Sequence, residues 1–272
     1  MFFAQDAYRE ACSANSCDDL LFAMYEISGS QTGQMVIISP CWLPHKVLNP
    51  QLFQVICISR HTSFASYRIY CRHNNKFFTW LYCSPGASNI IDVCLATAYS
   101  DAKQLLFLGS AGTLDASLPI GSIVLAQSAT TVSPWISIMN AENLKKASFD
   151  TVFAEKNQLY EYLHSDDGFS LRQVSVFSTP SIICEYQHKN YLRQKCFQCI
   201  EMEAYAFIYT VQKTEKQGTV LLCISDYIDT NRALFNRDAT IRNQYIRGRE
   251  QILPEIIWLR LRQKNVLWDA AA

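Results

Sequence analysis

The sequence predicts a single α/β domain, with a mixed central β-sheet flanked by helices. Two observations carry this. Short apolar runs rich in β-branched and aromatic residues recur along the chain and are separated by stretches of helical periodicity. The chain of 272 residues is 49% hydrophobic and 18% charged, enough to fill one sizeable core, and it has neither a repeat nor a low-complexity tract that would mark a second unit.

Residues 4–28 read as helix, with Leu20, Leu21, Met24 and Ile27 at helical spacing. Ser28-Gly29-Ser30-Gln31-Thr32-Gly33 reads as a flexible link, so residues 1–34 are expected to be a helical appendage packed on the domain. The domain itself is expected over residues 35–265, with a tail at 266–272. It opens on Met35–Ser39, closed by Pro40. Leu52–Ser59, Tyr67–Arg72 and Phe77–Cys83 follow as strands, and Ser84-Pro85-Gly86 as a turn. Asn89–Ser100 fits a helix that turns Ile90, Val93, Cys94 and Thr97 to one face. Gln104–Leu108 is a buried strand ending at Gly109, and Gly121–Ala126 is another. The polar stretch 140–165 is expected to be partly helical. Gln173–Ser178 and Phe197–Ile200 read as strands, Met202–Val211 as a helix and Thr219–Ser225 as a buried strand. A mainly helical C-terminus runs from about Asn231 to Leu261, interrupted near Pro254.

The formal net charge is zero, with no basic stripe, which argues against a nucleic-acid partner. No apolar run reaches the ~20 residues needed to cross a bilayer, and no signal peptide is evident at the N-terminus. A cytoplasmic protein without a membrane partner is the expectation. The 11 cysteines are odd in number, and several lie inside apolar runs, such as Cys57 and Cys223. That pattern reads as buried free thiols rather than a disulfide scaffold. Cys196 and Cys199 form a CxxC, but no second pair or nearby histidine accompanies them, so neither a metal nor a cofactor is expected.

Three islands carry chemistry. In the first, Leu105-Leu106-Phe107-Leu108 runs into Gly109-Ser110-Ala111-Gly112, small residues that permit close backbone approach. In the second, Ile200-Glu201-Met202-Glu203-Ala204 sets two carboxylates at a helix start, where the helix dipole by itself would also favour them. In the third, Asp226 follows the apolar run Thr219–Ser225, a place where partial desolvation suits a carboxyl group to proton transfer and where a helix cap or turn would also use one.

Taken in order, these islands resemble the nucleoside phosphorylase/nucleosidase family, which includes bacterial purine nucleoside phosphorylases, uridine phosphorylases and methylthioadenosine/adenosylhomocysteine nucleosidases. Gly109-Ser110-Ala111-Gly112 is similar to the family's Gly-Ser-Ala-Gly or Gly-Ser-Cys-Gly turn, and Leu118–Val124 to the apolar strand after it. Glu201-Met202-Glu203 resembles the ribose-binding Glu-Met-Glu, and Ser225-Asp226 the catalytic Ser-Asp. The likeness covers residues 35–260 approximately, and it makes the expected fold nucleoside phosphorylase-like. It implies a small-molecule nucleoside substrate, with Glu203 holding the sugar hydroxyls and stabilising a ribosyl cation. Asp226, oriented by Ser225, is implied as the general acid for the departing base. Ser110, Ala111, Gly112, Glu201, Met202 and Ser225 are the implied substrate contacts. The family resemblance also implies a homodimer or higher homo-oligomer. Trp42, Trp135 and the aromatic-rich 60–82 stretch are candidates for the apolar contact surface.

The pattern departs from the family in three places. In the first loop Cys41 stands for the glycine and His45 for the arginine that bind phosphate, leaving His45 and Lys46 as the only candidate phosphate-binding residues there. Phe107 takes the place of a second arginine, and phosphate binding needs such donors and charges. Residues 39–48 contain no carboxylate, so the glutamate by which the family's nucleosidases activate water is missing from its usual place. After Ser178 the chain offers Ile182 where a stacking aromatic is common. Arg237 and Arg242 lie after Asp226, where a helpful arginine occurs in the family and where a solvated helix face is the plain alternative. Hydrolysis of a purine-type nucleoside is favoured. A phosphorylase with a rebuilt phosphate site and a nucleoside-binding protein with little turnover remain open.

Overall fold

The computed structural model describes residues 2–15, 19–73, 76–156, 161, 171–228 and 238–262. Its centre is a mixed sheet of ten strands with neighbour order β10-β6-β8-β9-β5-β1-β4-β3-β2, and β7 added on β6. The strands are β1 (Met35–Ser39), β2 (Phe53–Arg60), β3 (Phe64–Cys71), β4 (Phe77–Cys83), β5 (Gln104–Thr113), β6 (Ile123–Ser133), β7 (Ser148–Phe153), β8 (Arg172–Ser178), β9 (Cys199–Glu201) and β10 (Gln217–Tyr227). β10 also pairs with β5, so β5, β10, β6, β8 and β9 close into a ring, from which β1, β4, β3 and β2 extend. The helices are α1 (Phe2–Asn15), α2 (Leu20–Tyr25), α3 (Ala87–Ala96), α4 (Ala141–Lys146), α5 (Glu185–Gln194), α6 (Ala204–Val211), α7 (Ala239–Arg247) and α8 (Leu253–Arg262). The α/β class and mixed sheet read from the sequence are the observed architecture.

The inner strands are apolar at consecutive positions because both faces of the sheet are covered. On β5, Leu105 and Phe107 enter one core with α3 and α6, while Leu106 and Leu108 enter the other with α8. β10 repeats this, with Val220, Leu222 and Ile224 on the first side and Leu221 and Cys223 on the second.

Several elements differ from the sequence reading. Residues 4–28 form two helices rather than one. Asp19 caps α2 by accepting from the amides of Leu21 and Phe22 at 2.9 and 3.1 Å, and its other oxygen takes the Gly29 amide at 2.8 Å. Leu21, Tyr25 and Ile27 are fully buried in the main core, so α2 and the turn after it pack into that core. The stretch read as a flexible link makes a 3₁₀ turn at Gly29–Gln31, and Thr32 after it is buried. β7 occupies part of the region expected to be helical, and α5 was not foreseen. Trp42 and three of the seven 60–82 aromatics do not form a surface: Trp42, Tyr67, Phe78 and Trp80 are all buried in the second core. Trp135 alone of the named tryptophans is exposed, at 63%.

The C-terminal helices brace the end of β10. α7 passes through a π-turn, Gly248–Ile252, into α8, and Pro254, which has no N–H to carry an α-helical ladder, directly follows that turn. Gly121 has φ +85°, and a Cβ there would lie 2.3 Å from the Gln244 carbonyl oxygen. A Cβ at Gly248 would lie 2.1 Å from the Gly121 oxygen, so backbone packs directly on backbone. Gly121 in turn donates to the Ile224 carbonyl at 2.8 Å, two residues before Asp226.

Candidate active site

β5 does not stop at Gly109. It runs on through Gly109-Ser110-Ala111-Gly112 to Thr113, because β10 pairs with it along its whole length and β9 joins the far end. The small residues therefore serve packing inside a strand as well as approach to a ligand. A Cβ at Gly109 would lie 2.7 Å from the Phe107 ring, and one at Gly112 would lie 2.8 Å from Ile228 and 3.4 Å from an Asp226 oxygen. Gly112 pairs with Asp226 on one side and Ile200 on the other. The register slips between Ile224 and Asp226, which makes Ser225 a bulge, a device that re-aims side chains at a strand end. Ser225 Oγ lies 2.6 Å from Asp226 Oδ1 and 3.1 Å from the Ala111 carbonyl oxygen, while Asp226 itself is buried.

The two glutamates have different surroundings. Glu201 is buried at the end of β9, beside Ser178 of β8. Ser178 Oγ donates to one of its oxygens, and the amides of Glu203 and Ala204 donate to the other at 2.6 and 2.7 Å. Those amides belong to the start of α6, where a helix leaves N–H groups without internal partners. With both oxygens engaged inside the protein, Glu201 holds the turn, and the sequence expectation of a direct substrate contact from it does not fit its surroundings. Glu203 has fewer donors. Its Oε1 accepts from the Gly86 amide at 2.8 Å. Burial raises the pKa of both carboxyls, and the hydrogen bonds to Glu201 oppose the rise. Glu203 is pushed up to about 8 by burial, with the charge of Glu201 adding. Where only one of the pair ionises, the donors select Glu201. Met202 lies half-buried between them.

A third group adjoins the carboxyls. Cys41 Sγ lies 3.7 Å from Ser110 Oγ and within electrostatic reach of Glu203. The Tyr245 hydroxyl, which accepts from Trp42 Nε1 at 3.1 Å, lies beside Ser110. Contacts thus run from Asp226 through Ser225, Ala111, Ser110 and Cys41 to the neighbourhood of Glu203. The islands from the sequence meet at the end of β5.

Other expected site residues lie differently. His45 and Lys46 are exposed on the 3₁₀ turn Pro44–Lys46. Phe107 is fully buried, its ring centroid 5.5 Å from that of Phe207, so this position is core rather than ligand surface. Ile182 is half-buried on the turn after Thr179. Arg242 is exposed on α7, and Arg237 lies outside the described residues. Cys196 is exposed in a left-handed turn after α5, whereas Cys199 is buried in β9, so the CxxC is split between two environments. Among the described residues, no group of three or more His, Cys, Asp and Glu side chains is placed to hold a metal ion, and no helix is long and apolar enough to cross a membrane.

Gly86, Ser178 and Tyr245 join this site without having been singled out in the sequence. Gly86 had a signal: the Pro-Gly turn before a helix, realised here with φ +124°. Tyr245 had none, since it is 135 residues from Ser110 in the chain and looks like one more aromatic of an amphipathic helix.

Comparison with known proteins agrees with this architecture. The uridine phosphorylase of Vibrio fischeri superposes with a TM-score of 0.65 at 15% identity, covering 85% of this chain and 92% of that one. The methylthioadenosine/S-adenosylhomocysteine nucleosidase of Campylobacter jejuni superposes with a TM-score of 0.64 at 16% identity, covering 84% and 98%. A purine nucleoside phosphorylase of Toxoplasma gondii gives 0.61 at 15% identity, covering 87% and 95%. At such identities the likeness is one of fold. In sequence, a DeoD-type purine nucleoside phosphorylase of Listeria monocytogenes is 29% identical over 132 residues, which is 48% of this chain and 54% of that protein. The match therefore spans about half the length of that relative. The sequence model of the phosphorylase superfamily matches residues 49–251, most of the chain. With that match and this fold, the protein belongs to the phosphorylase superfamily.

Proposed function

We propose that the protein cleaves the N-glycosidic bond of a purine-type nucleoside, with water as the nucleophile. The observation that carries the reading is the meeting of the Ser225–Asp226 pair and Glu203 at one strand end, on opposite sides of the Ser110–Gly112 segment. Cleaving the C1′–N bond leaves positive charge on the ribose and sends the electron pair to the base. Glu203, ionised, accepts hydrogen bonds from the sugar hydroxyls and stabilises that charge. Asp226 delivers a proton to a ring nitrogen of the departing base, and Ser225 fixes the carboxyl's orientation. Glu201 positions Glu203 through the turn at α6. Ser110, Ala111, Gly112, Met202 and Ile182 contribute the remaining contacts to the nucleoside. Water adds at C1′, and the proton it releases replaces the one that Asp226 gave.

The choice of water rests on the acceptor side. Phe107 lies in the core, and His45 and Lys46 point to solvent-exposed positions rather than forming a buried cationic pocket. Arg249 packs its guanidinium 5.5 Å from the Tyr245 ring centroid, and Glu250 pairs with it. Phosphorolysis is the second reading, favoured by the sequence likeness to the purine nucleoside phosphorylase of Listeria monocytogenes. Base release from a panel of purine and pyrimidine nucleosides, with and without inorganic phosphate, separates the two. The expected result is purine-nucleoside cleavage to free ribose at a rate that phosphate does not change. Strict phosphate dependence with ribose 1-phosphate as product would overturn it.

A homo-oligomer is part of the same proposal. Trp135, Ile136, Met139 and Ile183 are exposed at 63, 51, 58 and 71%, and a sulfur contact of 3.5 Å between Met139 and Cys184 links the two segments that carry them. An apolar patch of this kind suits a second copy. Light scattering is expected to give a dimer or larger at micromolar concentration, and Trp135→Glu to shift it toward monomer. A native protein that scatters only as monomer sinks the idea.

A further inference from the structure

A pocket of about 490 Å³ opens between α1, α2 and α3, and no residue of the candidate active site lines it. Small-molecule pockets have volumes of roughly 300–1,000 Å³. Two of its walls, α1 and α2, precede residues 49–251, the part of the chain that matches the phosphorylase superfamily.

Small residues make the space. Ala7 and Ala11 lie one turn apart on α1, and Ala23 lines the α2 side. Longer side chains would close the gap between packed helices, and three methyl groups leave it open. Tyr8 fixes the helices around it. Its hydroxyl accepts from the Leu20 amide at 3.2 Å, which ties α1 to the start of α2. Its ring centroid lies 4.5 Å from that of Tyr99, just beyond the end of α3. A pocket braced in this way exists before a ligand arrives, so little binding energy goes into forming it.

The lining is apolar except at one edge. Leu20 and Met24 of α2 and Leu95 of α3 supply hydrocarbon surface. Asp92 of α3 is the one charged side chain among the described lining residues. It keeps contact with solvent, which places its charge at the rim. Burial of the rest of the group raises its carboxyl from the ordinary value, and neither a cation nor a hydrogen bond opposes the rise. Among the described residues, no basic side chain pairs with it. A carboxylate partly withdrawn from water and lacking a counter-charge attracts a cation.

We propose that this pocket binds a small organic cation, an apolar body carrying one protonated amine, with the body between α1 and α2 and the ammonium on Asp92. The inference does not rest on the glycosidic chemistry at the end of β5, and its test reads binding alone.

The test titrates protonated 2-phenylethylamine, and its uncharged analogue 2-phenylethanol, into the full chain by calorimetry near neutral pH. The native protein is expected to bind the amine about fivefold more tightly than the alcohol, the upper range for an ion pair that keeps contact with water. Asp92→Asn keeps the shape of the side chain and removes its charge. With thermal unfolding showing that this variant is folded, it is expected to bind the two probes alike. Ala11→Phe fills the space and should weaken both. Glu203→Gln should keep the native preference for the amine. A native protein that binds neither probe, or the amine no better than the alcohol, would overturn the proposal. So would a preference that survives Asp92→Asn, or one that Glu203→Gln abolishes, since the amine would then sit at the candidate active site.

Discussion

Asp226→Asn is expected to lower turnover by ~10²–10³ while leaving the fold intact. The amide has the size of the carboxyl, and its oxygen can still accept from Ser225 Oγ, which now lies 2.6 Å from Asp226 Oδ1. Asn also keeps the contact with Gly112, whose lack of a side chain makes room for this group. What it loses is a transferable proton. The loss should appear in kcat and kcat/KM together, since the interaction is made as the base departs. Initial rates and single-turnover base release would measure it. An Asn variant that retains most of the native rate would remove Asp226 from the role of general acid.

Glu203→Gln is expected to have a comparable effect, ~10²–10³ in rate, with weaker nucleoside binding as well. It should also change the pH behaviour. The carboxyl has an ordinary value of 4.5 and is pushed up to about 8 by burial, with Glu201 adding. Its ionised form is the one proposed to stabilise the ribosyl cation. In the native protein kcat/KM should therefore rise with pH and level off above about 8, and the Gln variant should lack that limb. Stability should run the other way. A folded-state pKa above the unfolded one means that burial favours the neutral carboxyl. The resulting stabilisation is complete below the ordinary carboxylate range and is lost as pH rises toward about 8. Glu201, also raised by burial, adds to the same trend. Thermal unfolding of the native protein should weaken across this window, and Glu203→Gln should flatten the dependence. A native activity profile that stays flat from pH 6 to 9 would count against an ionising Glu203.

Part of this site could be read in the chain because the chemistry lies directly beside strongly apolar strands. Asp226 follows Thr219–Ser225, Glu201 and Glu203 follow Cys199–Ile200, and Gly109–Gly112 follow Leu105–Leu108. A polar group next to such a strand stands at the edge of a core, and its residue type limits what it can do there. The same local reading gave the α/β class, since strand and helix periods depend only on near neighbours.

The limits of that reading are equally physical. Periodicity does not report which strands pair, so the ring formed when β10 joins β5 was invisible, and with it the continuation of β5 through its glycines. The family resemblance gave Glu203 the sugar and Glu201 a lesser contact, but nothing in the local sequence supplied the physical reason. Their difference arises from the donors around each, Ser178 and two α6 amides for one and Gly86 for the other. Nor could it connect Cys41, Ser110 and Tyr245, which come from three distant segments. The sequence by itself determined the residue types available for nucleoside chemistry and the class of fold that carries them. Only the tertiary structure decided which carboxyl keeps its hydrogen bonds inside the protein and which aromatic residues are core, because desolvation and hydrogen-bond partners depend on neighbours that are close in space and remote in the chain.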